Sequence, residues 1–150
     1  LLYKTLARSK LEYVSSIWDP HSSTLVNALE AIQNRSARFM VSNYSRTASI
    51  TSIKNFLFLP NLSIRRKQAR LCLFHKIFFT NPELKRTLLL PPSYLSSRID
   101  HNFKAQVPFC QTNMYFHSCV PKTSSEWNRL PASIASNPEH TSFMTAILNV

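Results

Sequence analysis

The hydrophobic positions in the first half of the chain repeat with the period of an α-helix. From Tyr3 to Trp18 they recur at steps of three and four, and Asp19-Pro20 ends the pattern. Four such patterns, bounded by proline or by residues that cap helices, predict four helices. We predict them at Leu2–Trp18, from Ser22 or Ser23 to about Asn43, at Thr51–Leu57, and from Ser63 to about Phe79. The sequence therefore predicts a mainly α fold, with a small bundle of about four helices in residues 1–80.

The second predicted helix has one stripe that we expect to face the core. The members of this stripe recur at steps of three and four: Leu25, Leu29, Ile32, Ser36 and Phe39. Arg35 and Arg38 lie beside the stripe. Two explanations fit these arginines, since they could pack their aliphatic stems at a helix interface or line a groove that binds a ligand. Asn43 is the candidate for a left-handed residue at the helix end.

Proline divides the chain into two parts. Two of the nine prolines precede residue 81 and seven follow it. Because proline interrupts helices and central strands, the second part can hold only short elements. We predict a basic helical domain in residues 1–86 and a loop-rich extension with short helices in residues 87–150. The patterns at Phe103–Val107 and Met114–Val120 also allow a short β-hairpin.

Positive charge is concentrated in the first of these parts. The net charge is +11. Residues 1–86 hold 14 Lys and Arg against 4 Asp and Glu, a net charge of +10, whereas residues 87–150 hold 4 against 3, a net charge of +1. This imbalance predicts an anionic partner for the helical part, and nucleic acid is the commonest such partner.

Other features of the composition exclude whole classes of site. Glycine is absent, although a P-loop, a Rossmann dinucleotide turn and a GxSxG nucleophile elbow all require it. Cys72, Cys110 and Cys119 form no CxxC pair, so we expect no disulfide framework, no metal site and a reducing intracellular setting. The seven Asp and Glu residues are scattered along the chain, so we predict no catalytic residue. No run of apolar residues is long enough to span a membrane.

The fourth predicted helix begins with a cluster of cations. Positive side chains in the first turn oppose the helix macrodipole and cost about 0.3–1 kcal/mol each, but the same arrangement is suited to a phosphate group. The cluster is therefore either a solvated face or a contact with a nucleic-acid backbone. We predict backbone contacts at Arg65, Arg66, Lys67 and Arg70, with Arg35 and Arg38 as a second group. Lys4, Arg8 and Lys10 are interpreted as ordinary surface charges.

The two tryptophans, Trp18 and Trp127, are predicted to be structural anchors. A buried indole packs a large apolar surface and needs a partner for its N–H group. Stacking on a nucleic-acid base is the alternative that we consider less favoured.

Several short sequence strings occur in a defined order. They are Leu11-Glu12-Tyr13 with Trp18-Asp19-Pro20, the segments Leu29–Phe39 and Leu59–Leu71, the segment Pro121–Pro131 with its Glu126-Trp127-Asn128-Arg129-Leu130-Pro131 end, and Ser142-Phe143. In order and spacing these strings resemble the C-terminal thumb and post-thumb region of jockey-like non-LTR retrotransposon reverse transcriptases. Ser9 departs from the family pattern, in which a proline is common at this place.

The resemblance implies a function that composition alone does not give. It implies a parent RNA-directed DNA polymerase whose catalytic aspartate pair and Mg²⁺ lie in a palm and fingers region that this chain lacks. The helical part would be a thumb that holds the template–primer backbone without regard to sequence, in the nucleus. Because the chain opens on Leu1 inside a helical pattern, we expect a non-catalytic fragment without a cofactor of its own, with nucleic acid and the missing palm and fingers as partners.

Two alternatives to this hypothesis remain. The chain could be a small basic helical interaction module that binds an acidic partner, or a transposon relic without function. The sequence alone does not separate these alternatives from the thumb hypothesis.

Overall fold

The computed structural model describes residues 3–96 and 100–148, and in these residues the fold is mainly α-helical, as predicted. A π-helical segment, Tyr3–Ala7, precedes nine α-helices in the described part of the chain. The α-helices are α1 (Arg8–Glu12), α2 (Ser23–Val41), α3 (Ile50–Phe56), α4 (Leu62–Thr80), α5 (Pro82–Leu88), α6 (Asn113–Phe116), α7 (Cys119–Trp127), α8 (Ala132–Ala135) and α9 (His140–Ile147). Helices α3 and α4 lie within one residue of their predicted ends.

The chain divides into two compact units. The first unit comprises Leu1–Ser15 and Pro20–Lys67, and the second comprises Ser16–Asp19 and Gln68–Val150. The boundary therefore lies inside α4, whereas we placed it after residue 86. The physical reason is that Leu71 and Phe74, in the second half of α4, belong to the apolar core that the C-terminal helices form.

The core of the first unit combines apolar packing with one buried amide. Tyr3, Ala37, Ile53 and Leu59 are its buried apolar members. The side chain of Gln33 is also buried. It accepts a hydrogen bond from the Tyr3 hydroxyl at 3.2 Å and donates one from Nε2 to the Pro60 carbonyl at 2.9 Å. Because a buried polar group must be paired to be tolerated, these bonds fix the face of α2 that turns inward.

That inward face is not the one we predicted. The unit buries Gln33 and Ala37 of α2, whereas Leu25, Ile32 and Phe39 of the predicted stripe are exposed to solvent. Ala37 presents little bulk, and Gln33 satisfies two polar groups that an apolar side chain would leave unpaired. The left-handed residue after α2 is Ser42, with φ of 53°, and not Asn43.

The first helical stretch is also shorter than we predicted. Helix α1 ends at Glu12, and Val14 adopts φ of 50°, which is uncommon for a β-branched residue. Residues 16–19 belong to the second unit, where the Cys119 thiol donates to the Ser16 carbonyl at 3.1 Å. Residues 13–17 form turns, so the helix does not continue to Trp18. Trp18 is 41% exposed and is therefore not the buried anchor that we expected.

The core of the second unit forms around Trp127, which is fully buried. Its indole lies 4.9 Å from the ring of Phe74 and 5.7 Å from that of Phe143, measured between centroids. Its N–H group donates to the Phe103 carbonyl at 2.8 Å. Both requirements of a buried indole, apolar packing and a hydrogen-bond acceptor, are therefore met.

The β-hairpin that the sequence allowed does not form in the described residues. The segment predicted as its second strand is helical instead, divided between α6 and the start of α7, because the Thr112 side chain caps α6 by accepting from the Tyr115 amide. The first segment has no neighbouring strand among the residues that the structure describes. Its Ala105 N–H and C=O groups are paired by the side-chain amide of Asn128, at 2.9 and 2.8 Å. A side chain thus supplies the bonds that a partner strand would have made.

Candidate nucleic-acid interface

Arg65, the first of the predicted backbone contacts, is held by an ion pair within the first unit. Its Nη2 donates to Glu12 Oε2 at 2.8 Å, and its Nε donates to Oε1 of the same carboxylate. Arg8 donates from Nε to Glu12 Oε1 at 3.0 Å. Burial alone would raise the pKa of Glu12, but hydrogen bonds and charge from Arg65 and Arg8 outweigh it and hold that pKa below 4.5. The same hydrogen bonds raise the pKa of Arg65, so much of its donor capacity is already in use.

Arg66 and Arg70 lie in the interior. Their exposed fractions are 1% and 3%. Arg70 donates from Nη1 to Asp19 and from Nη2 to both carboxylate oxygens of Glu126, at 2.9 Å each. Lys122 donates to the same Asp19 oxygen at 2.5 Å. We call Arg70, Asp19, Glu126 and Lys122 the buried ion cluster. In this conformation, neither Arg66 nor Arg70 presents its guanidinium to a phosphate group in solvent.

The remaining three predicted contacts have different environments. Arg38 donates to the carbonyls of Ser45 and Ala48, at 2.8 and 3.4 Å, and so fastens the loop that follows α2. Arg35 and Lys67 are exposed and make no ion pair within residues 3–96 and 100–148. Of the six predicted residues, the structure therefore leaves Arg35 and Lys67 most accessible to an external anion.

Three further exposed cations belong to the first unit: Lys4, Lys10 and Arg46. They too lack an ion pair in the described part of the chain. We interpreted Lys4 and Lys10 as ordinary surface charges. The sequence does indicate that Lys4 and Lys10 are available to an external anion, because neither has an acidic residue three or four positions away. Arg8, in contrast, has Glu12 at that spacing.

The first unit has almost no negative charge to neutralise these cations. It contains ten Lys and Arg against two Asp and Glu, a net charge of +8. Both carboxylates are engaged, since Glu12 is bound to Arg8 and Arg65, and Glu30 lies 3.6 Å from Lys54 Nζ and accepts from the Ser63 amide at 3.1 Å. The surface of this unit therefore carries uncompensated positive charge.

Thiols and possible metal ligands give no second site. The structure brings together no group of three or more His, Cys, Asp or Glu residues that could hold a metal ion, among the residues it describes. Cys72, Cys110 and Cys119 are free thiols. Burial raises the pKa of Cys72 and of Cys119, which lowers the fraction of reactive thiolate.

A histidine pair lies in the second unit, in which His75 is buried and His140 is partly buried. His75 Nε2 is 2.8 Å from the Asn137 carbonyl, which can only accept, so this nitrogen carries the proton in neutral His75. His75 Nδ1 then accepts from His140 Nδ1, 3.3 Å away. Burial lowers the pKa of His75, although the bond to Asn137 opposes this shift. Burial, with the charge of Lys76, lowers the pKa of His140.

We expect this pair to make the chain less stable in mild acid. Because both folded-state pKa values lie below 6.5, the unfolded chain binds more protons just below pH 6.5 than the folded chain does. The contribution of the pair is constant above about pH 6.5 and is lost as the pH falls through the folded-state values. The urea midpoint, followed by circular dichroism, should fall between about pH 7 and 5.5 in the native chain and fall less in His75→Phe. An equal fall in both would contradict this assignment.

Comparison of the chain with protein-family models, with curated proteins and with solved structures gives no match. The resemblance carried by the sequence strings therefore stays a prediction. Within the described residues, no helix combines the length and apolar character that crossing a membrane would need.

Proposed function

We propose that this chain is the thumb and post-thumb region of a retrotransposon reverse transcriptase, and that its first unit binds the template–primer backbone. The order of the sequence strings supports the family assignment, and the charge of the first unit supports the binding. In this proposal the chain itself is non-catalytic. Polymerisation would require the palm and fingers of the parent protein, with Mg²⁺ bound there.

The observation that carries the binding proposal is the set of exposed cations in the first unit. Arg35 and Lys67 from the original prediction are joined by Lys4, Lys10 and Arg46, and none of the five makes an ion pair among the described residues. Phosphate groups can neutralise these cations without breaking an existing ion pair. Each neutralised phosphate releases condensed counterions, which makes affinity depend on salt and little on sequence.

Arg65, Arg38 and Arg70 have supporting roles in this proposal. Arg65 still has part of its side chain at the surface, 30% by area, and can add a contact at the edge of the site. Arg38 and Arg70 hold the loop after α2 and the buried ion cluster, respectively. Displacing Arg70 onto a phosphate would leave two carboxylates without their guanidinium, which is unfavourable.

We expect the double variant Arg35→Gln, Lys67→Gln to bind a duplex more weakly and with a smaller salt dependence. The slope of log Kd against log salt should fall by roughly two units, about one for each lost phosphate contact. Fluorescence anisotropy with a labelled RNA–DNA hybrid measures this slope. The matched control is Arg86→Gln, Arg129→Gln, which removes the same charge from exposed positions in the second unit. If both double variants reduce the slope equally, binding follows net charge alone and the assignment to the first unit is wrong.

A second candidate function, an interaction module for acidic proteins, is favoured by a different observation. The first unit exposes Leu25, Ile32 and Phe39 on one side of α2, a surface that a phosphate backbone would not cover because apolar side chains gain nothing from contact with phosphate oxygens. Binding of a protein partner at that surface does not depend on nucleic-acid binding.

A further inference from the structure

The first unit contains an apolar groove of about 780 Å³. It lies between the π-helical segment and the end of α2, and Leu6, Ala7, Phe39, Met40 and Tyr44 contribute to its lining. Leu6, Phe39 and Tyr44 are largely exposed, and Phe39 reaches 73%. An exposed aromatic in a concave apolar site is typical of a surface that another molecule covers.

Phe39, which lines the groove, also belongs to a stripe of exposed apolar side chains on α2. Leu25, Ile32 and Phe39 are exposed and lie seven residues apart, which is two helical turns. The three side chains span roughly 21 Å along one side of the helix, at a rise of about 1.5 Å per residue. Seven-residue spacing of apolar side chains is the pattern that packs against a second helix, so a rod-shaped partner suits this surface better than a compact small molecule.

The positive charge around the groove indicates what kind of partner helix would bind there. Arg35 lines the groove. Two further exposed cations lie close to lining residues in the sequence, since Lys4 follows Tyr3 directly and Arg46 comes two residues after Tyr44. Both carboxylates of the unit are already engaged. A second copy of the chain would bring another unit of the same positive charge against this rim, which is unfavourable. A partner helix with Glu or Asp beside its apolar stripe would neutralise the positive charge of this rim.

We propose that the groove and the exposed stripe of α2 bind an acidic amphipathic helix from a partner protein. The apolar side of that helix contacts Phe39, Ile32 and Leu25, and its flanking carboxylates pair with Arg35 and the neighbouring cations. This is helix-in-groove recognition, in which apolar anchors supply affinity and charge supplies orientation.

The test uses a labelled synthetic peptide of about 21 residues, long enough to cover the stripe. It carries Leu at heptad positions a and d, with Glu and Ala elsewhere. A matched peptide replaces every Glu with Lys. We expect the acidic peptide to bind the full chain at least about tenfold more tightly than the basic one, as measured by anisotropy.

Two substitutions locate the binding site on the chain. Phe39→Ser removes the exposed aromatic of the groove and should weaken peptide binding about tenfold, since interface anchors of this kind dominate affinity. Phe56→Ser is the matched control, because Phe56 is 75% exposed, lies in the same unit and does not line the groove. Its effect should be less than about twofold. Circular dichroism of both variants verifies that they fold.

Four results would overturn the proposal. The two peptides could bind equally, or the two Phe variants could bind the acidic peptide equally. Sedimentation could show that the native chain forms a dimer that Phe39→Ser abolishes, in which case a second copy covers the groove. A duplex that competes with the peptide, and that Phe39→Ser also binds more weakly, would place nucleic acid there. Failure of the native chain to bind any duplex would contradict the proposed function and leave the peptide result intact.

Discussion

Replacing Arg70 with alanine is expected to lower the free energy of unfolding by about 3–5 kcal/mol, the range found when one partner of a buried ion pair is removed. Arg70 is 3% exposed and makes three hydrogen bonds to two carboxylates. Without it, Glu126 loses both bonds to its guanidinium partner, and Asp19 retains Lys122 from the cluster. Urea unfolding followed by far-ultraviolet circular dichroism measures the loss.

The control for this variant is Arg86→Ala, which removes the same charged group from an exposed position on α5. Its effect should stay within about 0.5 kcal/mol. A double-mutant cycle with Glu126→Gln should show a coupling energy of about 0.5–3 kcal/mol, because the two side chains are in direct contact. Equal effects of Arg70→Ala and Arg86→Ala would mean that the buried ion cluster stabilises the chain no more than a surface charge does.

The same variant separates the two roles that Arg70 could have. If Arg70 is structural, its loss changes stability first, and duplex binding persists at temperatures where the variant is folded. If Arg70 contacts phosphate, as the sequence suggested, stability stays near the native value while the salt dependence of binding falls by about one unit. Measuring both quantities on one sample decides between the roles.

Trp127→Ala is expected to cost about 3–5 kcal/mol, as for other large aromatic side chains removed from a core. The substitution leaves a cavity among Phe74, Phe78 and Phe143 and removes the hydrogen bond to the Phe103 carbonyl. If that loss exceeds the stability of the chain, the variant will not fold, so Trp127→Phe serves as the milder form. It keeps much of the ring packing and loses the hydrogen bond.

Trp18→Ala is the matched control because Trp18 is 41% exposed. It should cost less than about 1 kcal/mol. The comparison tests whether the two tryptophans, both of which we predicted to be structural anchors, contribute to stability in proportion to their burial. Similar losses for Trp18→Ala and Trp127→Phe would contradict the difference in burial.

The elements that sequence reasoning placed well are those with local start and stop signals. Helix α3 begins after Ser49, whose side chain accepts from the Ser52 amide, and Pro60 follows its end. The end of α4 is marked by Asn81, whose side chain accepts from the Leu84 amide and caps α5, a helix that we did not predict. Such signals act within a few residues, so a single sequence contains them.

The inward face of α2 and the roles of the arginines depended on contacts that sequence spacing does not contain. Periodicity grouped Leu25, Ile32 and Phe39 on one side of α2, but it could not tell whether anything covers that side. Arg70 meets Asp19 and Glu126 across 51 and 56 residues of sequence. A cluster of cations at a helix start therefore looked like a phosphate site, although two of its members lie in the interior.

The most direct test of the binding proposal is the affinity of the unaltered chain for an RNA–DNA hybrid as salt is varied from about 50 to 200 mM. If the binding proposal is right, log Kd plotted against log salt gives a straight line with a slope of several units, and hybrids of unrelated sequence give the same line. Absence of binding at the lowest salt, or an affinity that salt does not change, would contradict it.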